Sequence, residues 1–296
     1  MNGIRLFAFI ALCMISLISS AAPDKKEEIK LRLFRGEHYT YDITQENTIK
    51  QDPGDEVMLS QKIGLKIRQD VIERLGNGNF VMEASFLSFN LFMDHKGIKQ
   101  RYTSDTVNVQ NKLYKSLNFL TTIKLNYEVS PEGVVSKLTG FETITEYIQF
   151  DPELSRLLRC FGSEEFMTEF YNYIPAQNVA VGDHWSAGGI LPDMMKLKYD
   201  ILYTLKEASV QNLTLNRGAS FNYSTEVPLA GDKTGQLNET GSQKGILILD
   251  PKTHMCISSD LDQQIEINLP SENKPDEEKI TPLKVNTRTK ILLVKK

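Results

Sequence analysis

Apolar and polar residues alternate along most of the chain after residue 29, and this period of two is typical of half-buried β-strands. The alternation runs through 29–33, turns at 35–37 and resumes through 39–43. Asn77-Gly78 is a strong hairpin signal, and further alternating stretches occur between 197 and 294. The pattern predicts a mainly β chain built from antiparallel hairpins, with a first strand at 29–33.

The segment 141–173 has a different pattern, with apolar residues three and four positions apart. Asp151-Pro152 and Gly162-Ser163 are signals for the starts of new helices. The sequence therefore predicts two or three short central helices. Their many apolar residues need cover, and the concave face of a curved sheet is the simplest source of it.

Two parts of the chain share a turn motif that precedes a strand. The motif reads Gly-Glu-His-Tyr at 36–39 and Gly-Asp-His-Trp at 182–185. A hairpin with alternating apolar residues follows in both places. We therefore expect curved antiparallel sheets in two similar modules, half-barrel or barrel-like in shape. The predicted boundaries are 22–175 for the N-terminal β module with the central helices and 176–296 for the C-terminal β module, packed together as one unit.

The first 21 residues have the order of a secretory signal peptide. Arg5 is followed by an apolar run at 6–18 and then by small residues up to Ala22, which is the arrangement that signal peptidases recognise. The run is short for a transmembrane helix, which needs about 20 apolar residues. We expect cleavage near Ala21, a periplasmic or secreted mature chain, and no transmembrane helix in it. Cys13 lies inside the apolar run, so lipid anchoring is not favoured.

Composition and charge narrow the possible functions. The 296 residues are 41% hydrophobic and carry a formal net charge of −4, which argues against a dedicated nucleic-acid binder. Three cysteines are too few for a fold held together by disulfides. After signal cleavage Cys160 and Cys256 remain, and they either form one disulfide or stay separate as buried thiols.

The sequence contains no complete catalytic or metal-binding motif. The four histidines, His38, His95, His184 and His254, do not have the spacing of a metal site. His254 and Cys256 would share one face of a strand, but no third ligand is apparent. Nucleophile and phosphate-loop motifs are also missing from the sequence. The sequence therefore predicts no catalytic residues, no metal, no cofactor and no enzymatic activity.

Aromatic residues recur on the predicted strands. Packing in the core is the default explanation for such residues, and the lining of an apolar groove is the alternative. The residues of the possible groove are Tyr39, Tyr41, Phe86, Tyr102, Tyr199, Tyr203, Phe221 and Tyr223.

Four motifs give the chain a resemblance to a known family: LRLFRGEHYTYDIT at 31–44, SPEGVVSKLTG at 130–140, IPAQNVAVGDHW at 174–185 and GILILDPKTHMCISSDLDQQIEI at 245–267. With these motifs it resembles an uncharacterised family of exported proteins of Gram-negative bacteria, many of them lipoproteins. The resemblance implies export but supplies no activity and no catalytic residues. A looser likeness is to the periplasmic lipoprotein-carrier half-barrels, whose curved antiparallel sheet wraps helices around an apolar cavity.

These observations lead to one leading expectation and two alternatives. We expect a non-enzymatic exported envelope protein that binds an apolar ligand, such as a lipid, or another envelope protein. One alternative is a structural or interaction module that recruits a partner through exposed sheet edges. The other is a hydrolase, which would need histidines and acids, such as Glu164-Glu165 or Asp260 with Asp262, together in a cleft.

Overall fold

The computed structural model of the chain describes residues 25–51, 56–105, 118–140, 142, 164–191, 197–228, 234–269 and 281–296. The predicted signal peptide at 1–21 lies outside the described residues. So does most of the segment for which helices are predicted, including Cys160. The helix α1, Glu164–Glu169, falls within that segment.

Twelve β-strands account for most of the described residues. They are β1 His38–Gln51, β2 Glu56–Arg74, β3 Phe80–His95, β4 Ile98–Thr103, β5 Lys124–Val129, β6 Val135–Thr139, β7 His184–Leu191, β8 Leu197–Ala208, β9 Leu213–Pro228, β10 Thr234–Leu249, β11 Cys256–Leu269 and β12 Thr281–Lys295. The prediction of a mainly β chain is confirmed.

The strands form one curved antiparallel sheet. Within the described residues its order is β6-β5-β3-β2-β1-β12-β11-β10-β9-β8-β7, and β4 pairs with the C-terminal half of β3. The sheet is not closed into a barrel, since β6 and β7 stand at its two ends. The last strand, β12, lies between β1 and β11, so strands from both predicted modules share one continuous sheet.

The expected first strand at 29–33 is wrong. Between 25 and 37 the described chain makes only an isolated bridge, from Glu27 to Val179. The amide of Leu31 donates to the carbonyl of Pro131, and the amide of Arg32 donates to the carbonyl of Thr253. The apolar side chains of this segment are buried, but its backbone bonds to two turns rather than to a neighbouring strand.

The turn before β1 is fixed by one glycine and one acid. Gly36 has a φ of +87°, and its amide donates to the carbonyl of Val71 at 2.8 Å. The amide of Val71 donates in return to the carbonyl of Glu37, whose carboxylate accepts from the amide of Phe34.

The turn before β7 makes the equivalent hydrogen bonds. Gly182 has a φ of +94°, and its amide donates to the carbonyl of Leu205 at 2.7 Å. The amide of Leu205 donates to the carbonyl of Asp183, whose carboxylate accepts from the amide of Ala180. The same residue types therefore start both strands by the same backbone geometry.

The core lies on the concave side of the sheet and is rich in aromatic residues. Its largest fully buried side chains include Tyr39, Tyr41, Tyr127, Tyr171, Tyr173, Tyr203, Phe80 and Phe89. Tyrosines of this kind bury a large ring and need a hydrogen-bond partner for the hydroxyl.

Helix α1 and the residues after it contact the N-terminal strands from inside the sheet. The hydroxyl groups of Tyr171 and Tyr127 lie 2.8 Å apart, and the Tyr171 hydroxyl also donates to Oε1 of Gln69. The rings of Phe170 and Tyr41 have centroids 5.6 Å apart. These contacts attach the segment to β1, β2 and β5.

The same segment also contacts the C-terminal strands. The hydroxyl of Tyr203 donates to Oδ1 of Asn172 at 2.8 Å, and the hydroxyl of Tyr173 donates to the carbonyl of His254 at 2.8 Å. The indole of Trp185 donates to the carbonyl of Tyr173. Residues 164–174 therefore bridge the two halves of the concave face.

Candidate functional site

A row of uncharged polar side chains crosses the middle of the concave face. Strand register places Gln61, Asn47, Thr287, Gln263 and Gln243 opposite one another on the adjacent strands β2, β1, β12, β11 and β10. Side chains alternate between the two faces of a strand, and each member shares its face with apolar core residues of the same strand. We call these five residues the amide row.

Hydrogen bonds connect one end of the amide row. Nδ2 of Asn47 donates to Oε1 of Gln61 at 3.0 Å, and Nε2 of Gln45 donates to Oδ1 of Asn47 at 3.1 Å. Further along the row, on β11, Nε2 of Gln263 is buried and has no hydrogen-bond partner among the described residues. One donor of the row is therefore unsatisfied in the described part of the protein.

The other end of the row joins a buried arginine. Nε of Arg217 donates to Oε1 of Gln243 at 3.0 Å, and Nη2 donates to the carboxylate of Glu169 at 3.0 Å. Nη2 also lies 3.4 Å from the hydroxyl of Tyr199, and the guanidinium lies 5.8 Å from the centre of the Tyr203 ring. These contacts attach α1 to the sheet, and the carboxylate of Glu169 balances the positive charge of Arg217.

The electrostatics of the cluster keep Arg217 charged. Burial by itself lowers the pKa of its guanidinium, but the charge of Glu169 and the nearby tyrosine hydroxyls outweigh this effect, so the pKa lies above its ordinary value. Burial, together with the charge of Glu169, raises the pKa of Tyr199. Arg217 is therefore a charged but paired residue with a structural role, not a free cation.

Beyond the amide row the concave face becomes apolar again. The next set of paired positions is Leu59, Ile49, Val285, Ile265 and Gly241, followed by Phe221 on β9. We call these six residues, including Phe221, the apolar rung. Its leucine, valine and isoleucines are only half-buried, whereas Ile43 and Ile63, nearer the core, are each 5% exposed. Apolar surface thus remains accessible at this end of the sheet.

Most of the aromatic residues predicted as groove lining lie in the packed core. Buried positions are taken by Tyr39, Tyr41, Phe86, Tyr199, Tyr203 and Phe221, while Tyr102 is partly buried and Tyr223 is 36% exposed. Phe221 belongs to the apolar rung, and Tyr223 follows it on the same face of β9. For all eight residues, the role of groove lining stays a prediction.

The structure places the four histidines in different elements. His38 and His184 begin β1 and β7, His95 ends β3, and His254 lies in the turn between β10 and β11. Among the described residues no three His, Cys, Asp or Glu side chains are grouped as metal ligands would be.

Cys256 is buried and forms no disulfide with a described residue, and burial raises the pKa of its thiol to about 12. Cys160 lies outside the described residues, so a disulfide between the two stays a prediction.

A groove of about 570 Å³ on the outer face of the sheet is a second candidate. Its charged side chains are paired, since Arg68 binds Asp70 and Lys124 binds Glu83 at 2.6 and 2.7 Å. Exposed ion pairs of this kind are common on sheet surfaces. The groove therefore offers no unusual chemistry.

Sequence reasoning missed the amide row. Gln45 and Asn47 have the same parity as Tyr41 and Ile43, so the alternation of β1 contained the signal that they face inward. Alignment of polar residues from five strands depends on strand register, however, and the pairing of β1 with β12 joins opposite ends of the chain.

A family model matches residues 77–256, and its description is a family of unknown function. The match covers 180 of the 296 residues. No curated protein matches the chain significantly. No described helix is long and apolar enough to cross a membrane.

Among solved structures, the chain is similar to one described as lipid-protein interactions in lipovitellin. The TM-score is 0.53 at 8% sequence identity, and the match covers 89% of this chain. It spans only 26% of the lipovitellin chain. At this identity the likeness concerns the fold, which is a large open antiparallel sheet in this chain.

Proposed function

The chain belongs to this family of unknown function, DUF6263, and we propose that it is an exported, non-enzymatic protein that binds an apolar ligand, such as a lipid, on the concave face of its sheet. The observation that carries the proposal is the half-buried apolar rung beyond the amide row. Contiguous apolar surface that is not fully packed is typical of binding sites.

The change in burial along single strands supports a ligand site at this end. On β1, Ile43 is 5% exposed, whereas Ile49 on the same face is only half-buried. On β11 and β12, Ile265 and Val285 are likewise half-buried although they face the concave side. An apolar ligand lying there would remove this surface from water, at about 25 cal/mol per Å².

The lipovitellin likeness is compatible with this proposal. That structure is described as one of lipid-protein interactions, and its similarity to this chain covers 89% of the chain. One fold hosts many functions, so this similarity alone does not indicate lipid binding. The proposal depends on the geometry of the concave face of this chain.

We also propose that the sheet arose by duplication of one module. The turns at Gly36 and Gly182 make equivalent hydrogen bonds, as described above. In addition, the second strand after each turn has a register shift in the same place, next to Glu73 in β2 and next to Glu207 in β8. Export is part of the same proposal and rests on the signal-like residues 1–21.

The experiment is a binding assay on the chain from residue 22 with the neutral fluorescent probe N-phenyl-1-naphthylamine. We expect its fluorescence to rise on binding and to fall again when a long-chain lipid displaces it. Val285→Lys, on the apolar rung, should weaken probe binding at least tenfold, because it places a charge on apolar surface.

Asn286→Lys is the matched control, because the adjacent residue is exposed on the opposite face of β12. Circular dichroism and thermal melting will confirm that both variants are folded. No increase in fluorescence with the parent chain, or equal binding by both lysine variants, would refute a ligand site on the concave face. Sequencing the N-terminus of the exported chain tests cleavage near Ala21.

A further inference from the structure

We infer that the amide row binds the uncharged polar group of an amphiphilic ligand, an ester, amide or hydroxyl, while the hydrocarbon chain of that ligand lies along the apolar rung. This inference rests on the proposed function and specifies its ligand class. It is carried by the register that aligns the five row residues, by the buried donor of Gln263, and by the absence of charge in the row.

The row crosses five adjacent strands of the concave face. Five polar residues lie side by side on adjacent strands, which at about 4.8 Å per strand spacing spans roughly 19 Å. On the core side the next positions are mixed, with Ile63 and Leu261 beside the polar Gln45 and Thr289, and the apolar rung lies on the other side. Polar groups in such a place destabilise the fold unless they form hydrogen bonds.

The hydrogen bonds within the row leave capacity for a ligand. Asn47 and Gln61 bond to each other, and Gln243 accepts from Arg217. Nε2 of Gln263, between Thr287 and Gln243, is buried without a described partner. A carbonyl or hydroxyl oxygen of a ligand would accept from this amide and satisfy it.

The charge around the row favours a neutral ligand. Its five members are uncharged, and the neighbouring cation, Arg217, is held by Glu169 at 3.0 Å. A ligand carboxylate or phosphate would therefore find no unpaired cation in the row, and its desolvation would go uncompensated.

The test compares three ligands that share one oleoyl chain: 1-oleoylglycerol, oleate and 1-oleoyl lysophosphatidate. Each displaces N-phenyl-1-naphthylamine from the chain beginning at residue 22. We expect 1-oleoylglycerol to bind at least tenfold more tightly than either anion. Equal affinity for all three would overturn the inference and leave the proposed function standing. No binding of the probe or of any ligand would overturn both.

Gln263→Met tests the unsatisfied donor, because methionine keeps the length of the side chain but not the amide. We expect affinity for 1-oleoylglycerol to fall about two- to tenfold, the effect of one lost neutral hydrogen bond, with little change for the anions. Gln264→Met is the matched control, since the adjacent side chain is exposed on the opposite face of β11.

Stability separates a binding role from a structural one. If Gln263 binds ligand, removing an unsatisfied buried amide should leave the urea midpoint of the ligand-free chain unchanged or higher. A lower midpoint with unchanged affinity would show that Gln263 serves the fold alone and would contradict the inference.

Discussion

The guanidinium of Arg217 lies 3.0 Å from the carboxylate of Glu169 and so joins β9 to α1 across the concave face. The two partners differ in exposure, since the side chain of Arg217 is 7% exposed and that of Glu169 is 31% exposed. The carboxylate can therefore be hydrated without its partner, whereas the guanidinium depends on protein groups. This asymmetry makes the effects of removing each partner unequal.

We predict that Glu169→Leu lowers the free energy of unfolding by about 1–3 kcal/mol, because it leaves the buried charge of Arg217 without its carboxylate. Arg217→Met should cost less, because a buried charge is replaced by an apolar side chain of similar length. Urea denaturation measures both. Lys124→Met, at an exposed ion pair with Glu83, is the control and should change stability by less than about 1 kcal/mol. The reverse order of the first two variants would contradict the prediction.

Two fully buried tyrosines should respond oppositely to loss of the hydroxyl. The hydroxyl of Tyr171 forms hydrogen bonds with the hydroxyl of Tyr127 and with Gln69. Tyr171→Phe leaves both buried groups without this partner and should lower the free energy of unfolding by about 1–3 kcal/mol. The hydroxyl of Tyr41 is buried without a partner among the described residues. Tyr41→Phe should therefore be neutral or stabilising. Thermal melts of the two variants decide this, and an equal loss in both would count against it.

Local signals in the sequence predicted strands and turns, but not the contacts between distant segments. The alternation of Tyr39, Tyr41 and Ile43 predicted which side of β1 is buried. At 29–33 the same alternation predicted burial correctly, but it carried no information about which groups accept the backbone hydrogen bonds. Those acceptors lie in turns about 100 and 220 residues further along the chain, at Pro131 and Thr253.

The candidate site depended on distant pairing even more strongly. Gln61 and Asn47 become neighbours within one hairpin, which sequence reasoning can reach. Thr287 joins them only because β12 pairs with β1, and Gln263 only because β11 pairs with β12. The amide row is therefore a product of register between the two ends of the chain, which period-two patterns do not encode.

Three glycines near β7 separate backbone strain from crowding. Gly182 has a φ of +94° and no atom within 4 Å of an added Cβ, so Gly182→Ala should cost about 1–2 kcal/mol for the left-handed backbone alone. A Cβ on Gly188 also meets nothing within 4 Å, and its φ is not positive. Gly188→Ala should therefore stay within about 0.5 kcal/mol of the parent.

Gly189 completes this comparison. An added Cβ would lie 2.6 Å from the ring of Tyr199, so Gly189→Ala should cost about 1–3 kcal/mol through overpacking. Chemical denaturation of all three variants tests the series. A loss at Gly188 as large as that at Gly182 would show that the left-handed backbone is not the cause.

The buried thiol of Cys256 should be unreactive in the folded chain. Since burial raises its pKa to about 12, thiolate is scarce at pH 8, and thiolate is the reactive form. We expect no modification of Cys256 by 5,5′-dithiobis(2-nitrobenzoate) within minutes. After unfolding, the chain from residue 22 should show two reactive thiols if Cys160 and Cys256 are reduced, and none if they form a disulfide. Rapid labelling of folded Cys256, located by mass spectrometry, would contradict the prediction.

His254 should make the stability of the fold depend on pH. It is 4% exposed, and its Nδ1 lies 2.6 Å from the carbonyl oxygen of Lys30. Burial lowers the pKa of His254, and the nearby charge of Arg32 lowers it further, while the Lys30 carbonyl, Asp250 and Glu27 act in the opposite direction. The neutral imidazole is therefore favoured in the folded state relative to the unfolded chain.

Below a pH of about 6.5, the usual pKa of histidine, the unfolded chain binds a proton that the folded chain resists. The free energy of unfolding should then fall as pH falls from about 6.5 towards the lowered folded pKa, by up to about 1.4 kcal/mol per pH unit for one proton. His254→Asn removes the titrating imidazole and should therefore flatten this slope. Asparagine is the suitable replacement because it also tolerates the φ of +58° at this position. Urea midpoints measured between pH 5 and 7.5 test the difference, with His95→Asn, at the exposed end of β3, as the control for loss of an imidazole. An equally steep slope in His254→Asn would assign the pH dependence to other groups.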